Sequence, residues 1–198
     1  NKKHLSITIT IDGTKRKHDI NRIWKSNRID NQTEKGSYDA VVRNIPLWLE
    51  QFPDAATKVT ISSPDIPYVC ESVLHLFHLG IHNVHINCVF EDVWREGDDI
   101  LFEQQMRQLA DTIIGNRLYD DHVCTLFERS IGHPMDIENN RNWCGAGLML
   151  AIDARGVFYP CTRFAQYALR DKPARAIGNV KEGINKNIVR PFYSLSRT

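Results

Sequence analysis

Alternation of strand and helix patterns is the feature that most constrains this chain. Three strands are predicted, at residues 4–11, 57–62 and 83–90. Apolar residues at helical spacing follow each strand, over 41–52, 66–77 and 102–113. Strands that alternate with helices favour a parallel sheet with right-handed crossovers. The sequence therefore predicts an α/β fold.

The ends of these elements carry their own signals. Ser37 and Ser63 are predicted helix N-caps, and Gly80 is predicted to end the second helix. Asp98 or Asp99 is predicted to cap the third helix. Pro46 lies inside the first helical pattern, where it is expected to produce a kink.

Residues 14–36 and the stretch after Tyr119 do not follow the alternation. Residues 14–36 are polar and predict a loop. One more short helix is predicted over 120–132, followed by a polar linker at 132–143. From Cys144 onward the pattern is that of a β-hairpin, with strands at 148–152 and 157–159 around a turn. The predicted domains are therefore 1–131 and 144–198.

Three strand–helix units are too few for a closed eight-stranded barrel. The predicted strand at 4–11 also has nothing before it to cover its edge, and an open edge favours aggregation. We therefore expect either that the chain is a piece of a larger barrel or that a partner covers this edge.

The composition limits which binding partners and which cellular compartment are expected. The formal net charge is +1, which gives no electrostatic reason to expect nucleic-acid binding. No run of about 18 apolar residues occurs, so no membrane span is expected. The five cysteines are odd in number and irregularly spaced, and the first residues have no leader-like pattern. These features favour a reducing cytoplasm.

Cys144 and Cys161 stand at the two ends of the predicted hairpin, which would bring them close together. Iron–sulfur clusters bind thiolates, and a cubane cluster needs about four protein ligands, so this pair would supply half a site. A disulfide, a zinc site completed by a histidine, and two unrelated buried thiols are the alternatives.

Two segments resemble one enzyme family. The segment from Cys144 to Cys161 reads "CGAGLMLAIDARGVFYPC" and resembles the opening of the SPASM domain, an auxiliary-cluster module of radical S-adenosylmethionine (radical SAM) enzymes. The segment "IGNVKEGI" at 177–184 fits the part that usually follows. Residues 9–22, "ITIDGTKRKHDINR", resemble the fourth barrel strand of radical SAM peptide maturases. The segments "GSYDAVVRNI" and "NWCGAGLMLAID" strengthen the resemblance, which extends to maturases of cysteine-repeat precursors.

The resemblance implies a fold, a reaction and a set of binding residues. Residues 1–131 would form the C-terminal half of a radical SAM (β/α) barrel, and 144–198 the start of a SPASM domain. Thr10, Arg22 and Val89 would bind S-adenosylmethionine, while Cys144 and Cys161 would ligate an auxiliary 4Fe-4S cluster. A 5'-deoxyadenosyl radical would abstract a hydrogen from a ribosomally made peptide or protein, with a flavodoxin or ferredoxin as reductant.

The chain also departs from the family pattern. It has no Cys-x-x-x-Cys-x-x-Cys loop for the first cluster, and the four further SPASM cysteines do not follow Cys161. The resemblance therefore implies a fragment that is inactive alone. Thr162 stands where sulfatase-maturing relatives carry an aspartate base, which disfavours formylglycine formation.

The remaining candidate residues have simpler interpretations. Cys70, Cys88 and Cys124 are expected to be core thiols, the first and last of them in helices. Glu91 and Asp92 follow the third strand, where they are expected to lead into a helix or to orient a substrate. The alternative function is a non-catalytic α/β module that binds a peptide at its sheet edge. No catalytic residue is identified.

Overall fold

The computed structural model describes residues 7–23, 36–128, 145–166, 168 and 172–194. The chain divides into two compact units, Asn1–His133 and Pro134–Thr198. The predicted linker at 132–143 and Cys144 lie outside the described residues.

A four-stranded parallel sheet forms the centre of the first unit. Its strands are β1 (Ile9–Thr10), β2 (Ala56–Ile61), β3 (Asn83–Cys88) and β4 (Val123–Cys124), and they are neighbours in chain order. Ile9 pairs with Thr57, Val59 with Ile86, and Val84 with Cys124. The predicted α/β class with a parallel sheet is thus confirmed. The described strands form an open sheet, and the barrel origin of that sheet stays a prediction.

The first unit contains five α-helices among its described residues. They are α1 (Lys15–Asn21), α2 (Tyr38–Val42), α3 (Ile45–Gln51), α4 (Val69–His78) and α5 (Asp98–Gly115). The prediction of a loop over 14–36 is wrong for Lys15–Asn21, because these residues form α1. The predicted helix with a kink at Pro46 is instead two helices, because Pro46 lies in the first turn of α3, where a missing N–H costs nothing. None of the described helices combines the length and apolarity needed to cross a membrane.

Three further predictions were wrong in detail. The predicted helix at 120–132 is replaced, as far as residue 128, by strand β4 between two short 3-10 helices, Leu118–Asp120 and Thr125–Phe127. Ser62 rather than Ser63 occupies the N-cap position, before a 3-10 helix at Ser63–Tyr68 that leads into α4. Gly97, with a φ of 86°, occupies the N-cap position of α5 in place of an aspartate.

Among the described residues of the first unit, helices cover one face of the parallel sheet and none covers the other. Val59 and Ile61 of β2 and Val84 of β3 point into the core, where Leu76 of α4 and Leu109 of α5 pack. Lys58 and Thr60 of β2 and His85 and Asn87 of β3 point the other way; all four are polar, and all but the half-buried Thr60 are exposed. Parallel sheets normally have helices on both faces, so the open face is unusual.

The second unit contains a small antiparallel sheet. Its strands are β5 (Ala151–Ile152), β6 (Val157–Tyr159), β7 (Gly178–Asn179) and β8 (Gly183–Ile184), followed by helix α6 (Lys186–Tyr193). Its core contains Ile177, Val189 and Phe192. The predicted hairpin is confirmed: Ala151 pairs with Tyr159 across a turn that ends at Gly156, whose φ is 77°.

Asp153 organises the hairpin turn. Its Oδ1 accepts hydrogen bonds from the backbone N–H of Arg155 at 2.9 Å and of Val157 at 3.0 Å. The Arg155 guanidinium donates to Oδ2 at 2.8 Å, and Tyr159 donates to the same atom at 3.0 Å. These contacts, with the Arg155 guanidinium as the largest cause, lower the pKa of Asp153. The turn is therefore held by a carboxylate that remains ionised in mildly acidic solution.

Gly13 generates the first testable prediction. Its φ is 121°, and a Cβ at this position would lie 2.2 Å from the Cβ of Ser72 in α4. Gly13→Ala is expected to lower the free energy of unfolding by about 2 to 4 kcal/mol, because backbone strain and overpacking add. Urea denaturation followed by circular dichroism measures this change.

Gly97→Ala is the matched control. Its φ is 86°, but a Cβ there would meet no atom within 4 Å among the described residues. Only the backbone strain, about 1 kcal/mol, should remain. Equal losses of stability in the two variants would contradict the close contact between Gly13 and α4.

Candidate functional site

Beyond the end of β1, the side chains of Asp12 and Lys17 take its place as hydrogen-bond partners of β2. The backbone N–H of Thr60 donates to Asp12 Oδ1 at 2.9 Å, and Lys17 Nζ donates to the Thr60 carbonyl oxygen at 2.7 Å. Buried backbone groups need hydrogen-bond partners, and β1 ends too early to supply them. Asp12 and Lys17 therefore extend the edge of the sheet with their side chains.

The opposite edge of the sheet uses the same device. Strand β4 ends at Cys124, and the next residue, Thr125, accepts the backbone N–H of Ile86 with its Oγ1 at 2.9 Å. Both outer strands are only two residues long, and a side chain continues each ladder along an inner strand.

Two carboxylates and two basic groups pair at the carboxyl ends of β1 and β2, and we call them the charge network: Asp12, Lys17, Arg22 and Asp65. Arg22 Nε lies 2.7 Å from Asp12 Oδ2, and Lys17 Nζ lies 3.8 Å from Asp65 Oδ1. The Lys17 and Asp65 side chains are 1% and 2% exposed. Burial lowers the pKa of Lys17, and the carboxylates of Asp12 and Asp65 oppose that shift. The charges balance, as burial requires.

Asp65 is held in place from a second side. Its Oδ2 accepts the backbone N–H of Ser62 at 2.9 Å and the Ser62 hydroxyl at 2.6 Å, which completes a capping box. Asn21 Nδ2 donates to Asp65 Oδ1 at 3.5 Å. The start of the 3-10 helix is thereby tied to α1.

His18 links the charge network to the segment that precedes α2. Its Nδ1 accepts the backbone N–H of Asp12 at 3.1 Å, so the ring proton lies on Nε2. Nε2 lies 3.0 Å from Ser37 Oγ, and Ser37 Oγ donates in turn to the Arg22 carbonyl at 2.9 Å. Burial lowers the pKa of His18, which favours this neutral form. Asp19 also fixes the backbone, since its Oδ1 accepts the N–H of Tyr38 at 3.0 Å.

Thr10, Lys58 and His85 form a row across the open face of the sheet. Thr10 pairs with Lys58, and Lys58 pairs with His85, so the three residues are direct cross-strand neighbours. Thr60 and Asn87 form the next row, and all but the half-buried Thr60 are exposed. This face therefore presents a hydroxyl, an ammonium and an imidazole side by side.

The structure places the three predicted cofactor residues at different points. Thr10 ends β1 on the open face, and Arg22 follows α1, 40% exposed and paired with Asp12. Val89 follows β3 and continues its ladder by donating its N–H to the Ile61 carbonyl at 2.9 Å. Val89 has the same strand parity as His85 but lies four residues further along, about 13 Å in the strand direction. Thr10 and Val89 are thus on one face without being neighbours.

The cysteines differ in part from expectation. Cys161 is 9% exposed two residues after β6, and the adjoining Pro160 carbonyl accepts the N–H of Gly147 at 3.1 Å. Cys124 lies in strand β4 rather than in a helix, and its buried surroundings raise its pKa to about 11. Cys88 is exposed rather than in the core, because a cavity at the end of β3 lies between it and the side chains of Ile66 and Phe102. Cys70 is buried in α4 as predicted.

No group of three or more histidine, cysteine, aspartate or glutamate side chains able to hold a metal ion occurs within the described ranges. Of the two predicted cluster ligands, Cys161 lies within the described ranges and Cys144 lies outside them. Glu91 and Asp92 are exposed in the segment between β3 and α5.

The sequence interpretation missed Lys17, Asp65, Lys58 and His85. Lys17 and Asp65 carry no local signal, because their partners are distant in the chain. His85 did carry one: it alternates with Val84 and Ile86 in a strand that a parallel sheet would normally bury on both faces.

Lys17→Met tests the charge network. Methionine keeps the length of the side chain but removes the ammonium, leaving Asp65 and the Thr60 carbonyl without this partner. The free energy of unfolding is expected to fall by about 3 kcal/mol. Lys15→Met, in the same helix, removes an exposed pair with Asp39 and should leave stability nearly unchanged. Similar urea midpoints for both variants would show that the network does not stabilise the fold.

Comparison with known proteins assigns no family to the chain. No family model, no curated protein and no solved structure matches it. The functional interpretation therefore depends on the chemistry of the residues themselves.

Proposed function

We propose that this chain is part of a radical SAM enzyme with a SPASM domain that modifies a ribosomally synthesised peptide or protein. The observation that carries the proposal is the open polar face of a parallel sheet, with Thr10 in its first strand. The inside of a partial barrel would present a sheet face that no helix covers, whereas a complete open α/β sheet is covered on both faces. The polar residues on this face suit a ligand rather than a packed interior. The two sequence motifs support the same conclusion.

The residues present fit S-adenosylmethionine in their chemistry. Arg22 Nε is fixed by Asp12 at 2.7 Å while 40% of the side chain remains exposed. A planar guanidinium suits the cofactor's carboxylate, and an arginine already oriented by an ion pair loses little freedom on binding. Thr10 offers a hydroxyl, and Val89 an apolar contact at the far end of the same face. Their separation suits an elongated ligand.

The proposal assigns cluster ligation to Cys144 and Cys161. Cys161 lies two residues after β6 and occupies the N-cap position of the 3-10 helix Thr162–Phe164. With Cys144 it would hold an auxiliary 4Fe-4S cluster, which would supply electron transfer or substrate binding when bound. The chain's own contribution would be to orient the cofactor and exclude water. A peptide substrate, a flavodoxin or ferredoxin and a cytoplasmic location belong to the same proposal.

One observation favours the alternative function, a non-catalytic peptide-binding module. A cavity of about 430 Å³ adjoins β1 and is lined by Thr10, Val41 and Trp48 among others. Trp48 Nε1 donates to the Ile7 carbonyl at 2.8 Å, which holds the indole beside this strand. An extended peptide could pair with such an edge and place side chains in the cavity.

Anaerobic reconstitution of the full-length protein that contains this chain distinguishes the two functions. With iron, sulfide and reductant, the enzyme should release 5'-deoxyadenosine from S-adenosylmethionine. Arg22→Lys should raise the KM for S-adenosylmethionine about tenfold, because lysine lacks the bidentate fork. Arg43→Lys, on the exposed end of α2, is the matched control.

A protein that binds no iron and forms no 5'-deoxyadenosine would contradict the enzyme function. A peptide that binds to that iron-free protein, and no longer binds after Trp48→Ala although the variant keeps the wild-type circular dichroism spectrum, would support the alternative.

A further inference from the structure

A second cavity, which we call the β3 cavity, lies at the carboxyl end of β3 and has a volume of about 450 Å³. Its lining includes Ile66, Cys88, Trp94, Glu96, Asp99 and Phe102. Cys88 pairs with Ile61 and has the parity of the core residue Ile86. The β3 cavity therefore opens on the helix-covered face of the sheet, opposite the face that carries Thr10 and His85.

The wall of the β3 cavity is apolar and anchored. Ile66 is fully buried in the 3-10 helix, and Phe102 belongs to the second turn of α5. Trp94 donates its Nε1 proton to the Val89 carbonyl at 3.1 Å, which fixes one edge of the indole while 38% of the residue stays exposed. Ile66 closes the wall from behind, and an alkyl chain or a flat group can pack against the accessible surfaces of Trp94 and Phe102.

The rim of the β3 cavity is acidic. Glu96, Asp98 and Asp99 contribute three carboxylates against the one guanidinium of Arg95, an excess of two negative charges. One carboxylate oxygen of Asp98, Oδ2, already accepts a hydrogen bond from the Arg95 backbone N–H at 2.7 Å. The N-terminus of α5 alone would attract an anion, but Asp98 and Asp99 in its first turn offset that field. The rim thus favours a cation.

We propose that the β3 cavity binds a basic side chain of a polypeptide, arginine in preference to lysine. The aliphatic stem would pack on the half-buried Phe102, the guanidinium would lie against Trp94, and Glu96 and Asp99 would pair with its charge. Guanidinium groups stack on aromatic faces and are less strongly hydrated than ammonium groups, which is the reason for the preference. The proposal does not depend on the radical SAM function, since it uses the other face of the sheet.

Cys88 provides a native reporter for the test. Its thiol lines the cavity and is exposed, whereas Cys70, Cys124 and Cys161 are buried. A neutral thiol reagent is applied to the full chain, and modification of Cys88 is measured by mass spectrometry of its peptide. Nα-acetyl-arginine amide should slow this modification in a saturable manner. The citrulline analogue, which has the same shape without the charge, should protect at least several-fold less well.

The double variant Glu96→Gln/Asp99→Asn should weaken protection by the arginine amide about three- to tenfold, as expected for partly exposed ion pairs. Asp111→Asn, further along the exposed side of α5, is the matched control and should leave protection unchanged. Equal protection by the arginine and citrulline compounds, or no protection by either in the wild-type chain, would overturn the proposal. These outcomes leave 5'-deoxyadenosine formation untouched, so the two proposals fail separately.

Discussion

Side chains take the place of a strand where the first strand of the parallel sheet ends. Asp12 and Lys17 satisfy the N–H and carbonyl of Thr60, and this contact lets the chain turn away from the sheet into α1 without leaving the inner strand unpaired. This arrangement buries two charged groups, the Asp12 carboxylate and the Lys17 ammonium. Arg22 and Asp65 balance them, so the turn, helix α1 and the start of the following 3-10 helix form one connected unit.

This unit also determines what the open face can do. Because Asp12 holds Arg22 through Nε, the guanidinium is positioned next to the carboxyl end of β1 rather than free in solvent. Thr10, Lys58 and His85 lie in one row on the same sheet, where a ligand would meet a hydroxyl and two nitrogen groups together. The other face ends in the β3 cavity, whose rim has the opposite charge. Under the two proposals, an anionic group would bind at Arg22 and a cationic group at the rim of the β3 cavity.

The sequence predicted the elements whose patterns are local. Strands β2 and β3 and helices α4 and α5 follow from apolar periodicity, and the hairpin follows from its turn residues. Helix α1 did not, because Lys15–Asn21 has a single apolar residue, Ile20, and is stabilised by distant partners such as Thr60, 43 residues from Lys17. Strand β4 was missed because two residues carry no alternation. Cys88 was assigned to the core because strand parity alone does not show where the helical cover ends.

The central physical claim is that the Asp12 side chain replaces a strand at Thr60, and amide hydrogen exchange of the Thr60 N–H tests it most directly. The Thr60 amide should be protected in the wild-type chain about as strongly as that of Val59, which points towards β3. In Asp12→Ala the protection of Thr60 should fall far more than that of Val59. Rapid exchange of Thr60 in the wild-type chain, or equal loss at both residues in the variant, would contradict the claim.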